Sequence, residues 1–183
     1  IGFAGLAQIK KDALARTPNV ALVDAGDAIQ GAPIGKLSRG LAVVDIMNYL
    51  GYDFCIPGNH EFDYGMDRFM ELVPLQRAGY YCANFVYAGN NKQVLPGYKI
   101  MQYEDTKVAF VGASTPESLT TSTPTFFQNE KGQYIYSFCE DKSGSKLYKQ
   151  LQKNVDKARK EGADYVFIVG HLGMDGTTPQ WSS

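Results

Sequence analysis

Phe54-Cys55-Ile56-Pro57-Gly58-Asn59-His60-Glu61-Phe62-Asp63 opens as a short apolar run. It breaks at Pro57-Gly58 into a turn carrying an amide, an imidazole and two carboxylates. An apolar run of this length, bounded by Asp53 and a Pro-Gly pair, fits a strand buried on both faces, and the pair marks its end. The polar groups therefore sit at the strand's carboxyl end. The same order occurs upstream, where Val20-Ala21-Leu22-Val23 runs into Asp24-Ala25-Gly26-Asp27. It recurs downstream, where Tyr165-Val166-Phe167-Ile168-Val169 runs into Gly170-His171-Leu172-Gly173.

Helical spacing fills the intervals between these strands. Phe3, Leu6, Ala7, Ala13 and Leu14 mark a helix from Phe3 to Arg16, interrupted by Thr17-Pro18-Asn19. A second helix is expected over Leu41–Leu50 with a stop at Gly51, a third from Asp67 to Arg77, and a long one through Leu147, Leu151, Val155 and Ala158 that ends at Gly162. Further strands are expected at Tyr80–Ala83, Tyr98–Tyr103 and Val108–Gly112, whereas Thr115–Gly132, rich in Thr, Ser, Pro and Asn, reads as a long surface loop bordering the site. Helices alternating with apolar strands predict a layered α/β fold, with mixed sheets flanked by helices and ligand sites beyond the strands' carboxyl ends.

The chain has only two histidines in 183 residues, and His60 and His171 each follow an apolar strand and a glycine-containing turn, with carboxylates beside them. That placement favours chemistry over a packed core histidine. In Asp24-Ala25-Gly26-Asp27 the glycine lets the chain turn so that Asp27 projects away from the sheet. There it can bridge two cations or order its own turn through Asx hydrogen bonds. Asp24 is read as the turn-ordering partner. Asn59 offers an amide oxygen that can ligate a metal, and His60 can ligate or act as a general acid. Asp63, three residues on, can hydrogen bond the His60 ring, fix its tautomer and keep it protonated near neutral pH. Glu61 reads as a residue that orders the loop.

Composition narrows the partners. With 18 basic and 19 acidic residues and a formal charge of -1, the chain has no basic excess for gripping a nucleic acid, so an anionic substrate must be held by local chemistry such as metal ions. Cys55, Cys82 and Cys139 are too far apart for a metal knuckle and read as small buried hydrophobes. No run approaches the roughly 20 apolar residues of a membrane span.

The pairing of Asp24-Ala25-Gly26-Asp27 with Gly58-Asn59-His60-Glu61-Phe62-Asp63 resembles the calcineurin-like metallophosphoesterase superfamily. Its Asn-His-Glu-Phe-Asp form resembles the branch of 5'-nucleotidases, UDP-sugar hydrolases and 2',3'-cyclic-nucleotide phosphodiesterases. Tyr81-Cys82-Ala83-Asn84-Phe85 and Gly170-His171-Leu172-Gly173 fall where that branch has similar segments. The resemblance implies a nucleotide phosphoester hydrolase with two divalent metal ions, of manganese, zinc, iron, cobalt or a similar kind. It implies that Asp27 bridges the metals, that Asn59 and His171 ligate the second, that His60 and Asp63 form a catalytic dyad, and that Asn84 is structural. It also implies export and a C-terminal domain that binds the nucleotide.

Two motifs of the family, an opening Asp-x-His and a later Gly-His-x-His, do not occur in the 183 residues. The expectation is an incomplete catalytic domain over residues 1–183, with little activity by itself. A thiosulfohydrolase-like hydrolase on the same scaffold, or a binding module without metals, are the competing readings.

Overall fold

The computed structural model describes residues 2–173. Helix α1 (Gly2–Leu14) precedes strand β1 (Val23–Asp24), and helices α2 (Pro33–Ser38) and α3 (Leu41–Leu50) lead to β2 (Phe54–Cys55). A 3-10 turn over His60–Phe62, helix α4 (Met66–Leu72) and a 3-10 turn over Val73–Leu75 come next. They are followed by β3 (Val86–Tyr87), β4 (Tyr98–Tyr103) and β5 (Thr106–Ser114). Helix α5 (Ser118–Thr121), a 3-10 turn over Pro124–Phe127, β6 (Tyr136–Ser137), α6 (Ser145–Lys160) and β7 (Tyr165–His171) follow in turn. Strands β1 and β2 pair in parallel, β3 and β6 antiparallel, and β5 lies between an antiparallel β4 and a parallel β7. This is the expected α/β arrangement of mixed sheets flanked by helices.

Register places the site. Asp24 lies opposite Cys55 across the first parallel pair, and His171 lies opposite Ser114 across the second. The Ser114 hydroxyl donates to the Pro57 carbonyl, and His171 Nδ1 donates to the Ala25 carbonyl. The carboxyl ends of both parallel pairs therefore face one place, where such sheets present their ligands.

Packing explains why these ends hold still. On α6, Leu151, Asn154 and Ala158 recur at helical spacing and are buried, and Leu151 and Ala158 pack with Ala109, Val111 and Ala113 on one face of β5. The main core gathers around Phe62, whose ring centre lies 4.9 Å from Phe69, 5.5 Å from Phe85, 5.1 Å from Phe127 and 5.6 Å from Phe138. All four meet it edge to face, the arrangement that ring quadrupoles favour. Phe62 is the last residue of the His60 turn, so that turn is pinned into the core.

Three expectations are corrected. The helix expected to reach Arg77 ends at Leu72, because Pro74 has no N–H to continue it and the chain tightens into the 3-10 turn. Tyr80–Ala83 contributes one bridge to Cys55, then gives the Cys82 N–H to Pro96 and the Ala83 N–H to Gly112, changing partners too often to form a ladder. Thr115–Gly132 is not a plain surface loop: it holds α5 and the Pro124–Phe127 turn, and it buries Leu119 and Phe127. Phe127 stands against Phe62, so this segment packs beneath the His60 turn.

Candidate functional site

The turns after β1 and β2 meet backbone to backbone. Gly26 has φ +92°, and a Cβ on it would lie 2.5 Å from the Gly58 nitrogen and 3.1 Å from His171 Nδ1. A Cβ on Gly58 would run into the Asp27 carboxylate. Only glycine permits this approach at both positions. Asp27 itself is left-handed at φ +65°, a conformation Asp tolerates better than most residues.

This contact aims the side chains. Asp27 Oδ1 accepts the His60 backbone N–H at 2.9 Å, and Asp27 Oδ2 lies 3.2 Å from His171 Nε2. Asn59 Oδ1 lies 3.3 Å from the same nitrogen. Because His171 Nδ1 donates to the Ala25 carbonyl at 2.9 Å, a neutral ring turns the Nε2 lone pair toward both oxygens. Three electron-pair donors then face one another, an arrangement that positive charge among them stabilises. Among the described residues no three His, Cys, Asp or Glu side chains form a metal-holding group. The group here is one carboxylate, one imidazole and one amide oxygen, with the imidazole oriented by a second hydrogen bond as metal-ligating histidines are. The donor set fits a divalent cation.

Beside it, His60 Nδ1 and Asp63 Oδ2 are 2.7 Å apart, with the His60 side chain 44% exposed. The hydrogen bond to Asp63 holds the His60 imidazole above its ordinary range, against a smaller opposing pull from burial.

Beneath these groups Glu61 is fully buried. Its carboxylate accepts the backbone N–H groups of Asp27 at 2.7 Å, Gly58 at 2.6 Å, Ala28 at 2.8 Å and Ile29 at 3.3 Å. This is a loop-ordering role, as the sequence suggested, but one that spans two loops. Burial, with the Asp24 charge adding to it, pushes Glu61 up to about 7, while the N–H groups of Asp27 and Gly58 pull it down. Burial likewise raises Asp24 to about 6, opposed by the Gly26 N–H.

Asn84, expected to be structural, is buried with its amide fully used. It donates to the Ser114 and Phe138 carbonyls at 2.8 Å each and accepts from the Ser114 N–H at 3.0 Å and the Cys82 thiol at 3.3 Å. Through Ser114 it holds Pro57, just before the His60 turn. Sequence reasoning missed Ser114, since a serine at the tip of an apolar strand has no signature of its own.

The cysteines are free, Cys55 and Cys82 buried and Cys139 half-buried. Burial, reinforced by Glu140, pushes the Cys139 thiol up to about 11. Its thiolate at pH 8 is thereby thinned about 100-fold against an ordinary thiol. Because a more basic thiolate is also more nucleophilic, iodoacetamide should alkylate Cys139 in the folded protein about 10-fold more slowly than in urea; equal rates would show that the thiol is not shielded.

Residues 1–183 match the calcineurin-like phosphoesterase family, and the chain belongs to it. It is 32% identical over 178 residues to the 5'-nucleotidase of Rattus norvegicus, covering 94% of this chain and 28% of that protein. It is 26% identical to the 2',3'-cyclic-nucleotide 2'-phosphodiesterase/3'-nucleotidase of Haemophilus influenzae, covering 94% of this chain and 27% of that one. Among solved structures, the sulfate thiohydrolase SoxB of Thermus thermophilus, in complex with glycerol, superposes with a TM-score of 0.76 at 29% identity, covering 94% of this chain and 30% of that one. The chain thus spans less than a third of the length of the relatives it matches.

Proposed function

We propose that this chain is the phosphoester-cleaving part of a 5'-nucleotidase-like enzyme, acting on nucleotides. In this reading Asp27, Asn59 and His171 would hold one divalent cation, and Asp27 would be shared with a second. The observation that carries the reading is the convergence of Asp27 Oδ2 and Asn59 Oδ1 on His171 Nε2, beside the His60–Asp63 pair. Calcineurin-like phosphoesterases use divalent metal ions. When bound, such ions draw charge from phosphoryl oxygens and lower the pKa of water, and a donor set of this kind accepts manganese, zinc, iron or cobalt.

The chain's own residues supply the rest. Asp63 holds the Nδ1 proton of His60 and so leaves Nε2 facing outward, as the nitrogen that donates to the departing ester oxygen. Asp27 accepts the His60 N–H and fixes the ring's starting point relative to the cation donors. Recognition of the nucleoside falls, in this reading, to a further domain of the same polypeptide. Relatives named as snake venom 5'-nucleotidases support an exported protein. No helix among the described residues is long and apolar enough to cross a membrane.

The test is hydrolysis by the full-length polypeptide, with manganese and with chelator, followed by product: AMP to adenosine and phosphate, UDP-glucose to UMP and glucose 1-phosphate, and 2',3'-cyclic AMP to the nucleoside monophosphate. Chelator should abolish hydrolysis. His60→Ala should lower turnover by about 10²–10⁴-fold, the usual span of a general acid, with metal content unchanged; wild-type turnover would remove His60 from the mechanism. Metal bound without hydrolysis of any of the three substrates would favour cleavage of a sulfur ester, the reading that the likeness to the thiohydrolase supports. Neither metal nor hydrolysis would leave a binding module.

A further inference from the structure

Among the described residues Glu61 is the one acidic side chain fully buried in the core, and its carboxylate is shared between the two turns of the site. Its oxygens divide the donors evenly. Oε2 accepts Asp27 and Gly58, and Oε1 accepts Ala28 and Ile29. The N–H groups of Asp27, Ala28 and Ile29 are consecutive, in a turn whose first residue is left-handed. Such a concave row of amides is a nest, of the kind that elsewhere receives a phosphate or another external anion. Here the chain fills it with its own carboxylate, and Gly58 adds a fourth donor from the opposite turn.

The brace is reciprocal. Glu61 accepts the backbone N–H of Asp27, and Asp27 accepts the backbone N–H of His60, the neighbour of Glu61. Each turn thus carries a carboxylate that grips the other's main chain. We infer that Glu61 is the positioning residue of the site, setting where Asp27 stands against Asn59 and His171, an inference that rests on the reading of those three as cation donors. Both Glu61 oxygens are taken up by backbone N–H groups, so it acts through the backbone of Asp27 and Gly58.

Charge pattern, rather than volume, carries the role, and this makes it testable. Glu61→Gln conserves shape, but each oxygen it replaces accepts two N–H groups, so the amide NH₂ meets two donors whichever way it is turned. Glu61→Asp keeps the charge and loses the reach. Two readouts are needed on the full-length polypeptide and its variants: affinity for manganese alone by calorimetry, and amide exchange of residues 27–29 and 58 in metal-free protein.

Glu61→Gln should weaken manganese binding by about 10–100-fold, the span typical of groups that support metal ligands. It should also speed exchange at those four amides while exchange in α6 stays as in the parent. Should the glutamine variant fail to fold, Glu61→Asp carries the same measurements, with loss in the same direction. Unchanged manganese affinity in a folded variant overturns the inference, whether or not exchange speeds, since a mere packing residue would behave so. A parent that binds no manganese overturns the cation reading itself; exchange faster in the variant than in that parent would locate the failure there and not in the brace.

Discussion

Asp27→Asn should cut phosphate release from AMP by more than 100-fold and deplete the full-length polypeptide of metal, while the unfolding midpoint of the metal-free protein moves little. The asparagine can still accept the His60 N–H through Oδ1, so the turn keeps its main hydrogen bond. What changes is the other end of the side chain: an NH₂ replaces the anionic oxygen that stands 3.2 Å from His171 Nε2. Loss of a group outside the ligand set already weakens metal sites by about 10–100-fold, and removing an anionic ligand exceeds that. Elemental analysis checks the metal content. Full occupancy in the variant would refute the bridging role and return Asp27 to the turn-ordering reading. The contrast with His60→Ala separates the two halves of the site, since that variant should keep its metal and lose only turnover.

The second large effect is on stability. Phe62→Ala should destabilise the protein by about 3–5 kcal/mol, the range for truncating a buried aromatic residue. That is a large share of the about 5–15 kcal/mol that holds an ordinary domain together. Four rings surround Phe62, from α4, from Phe85 before β3, from the Pro124–Phe127 turn and from Phe138 after β6. These elements approach from different directions and cannot all collapse into one cavity, which argues for the upper half of the range. Urea unfolding of the variant measures it. A loss below about 1 kcal/mol would mean that the cluster closes over the gap.

Local signals were legible wherever chemistry and sequence are neighbours. The apolar runs, the glycine turns after them and the His60–Asp63 pair could all be read off the chain, because a strand tip and a three-residue spacing need no tertiary information. His171 is different. Its ring meets Ala25, 146 positions away, and Asn59, 112 positions away, only because the β5–β7 register and the β1–β2 register bring their ends together. No pattern within either segment encodes that meeting, and its role entered through the family resemblance. Glu61 shows the same limit in smaller form: a carboxylate in a loop is easily read as ordering the loop. That it holds Ala28 and Ile29 as well as Gly58 depends on the contact between two distant glycines. Composition misled for Thr115–Gly132, where Thr, Ser and Pro mask two helical turns and a phenylalanine bound for the core. It misled also for Tyr80–Ala83, where strand-like residues lack a steady partner.

The contact of Gly26 with Gly58 also limits how this site can diversify. A methyl group at either position would act as a wedge, prising the acidic turn from the histidine turn. If the site holds a cation as proposed, redesign toward another metal or ester must therefore exchange donor atoms in place, for instance a carboxylate for the amide at Asn59, because the walls cannot be moved apart to admit bulk. The backbone of the site is fixed where its side chains can vary.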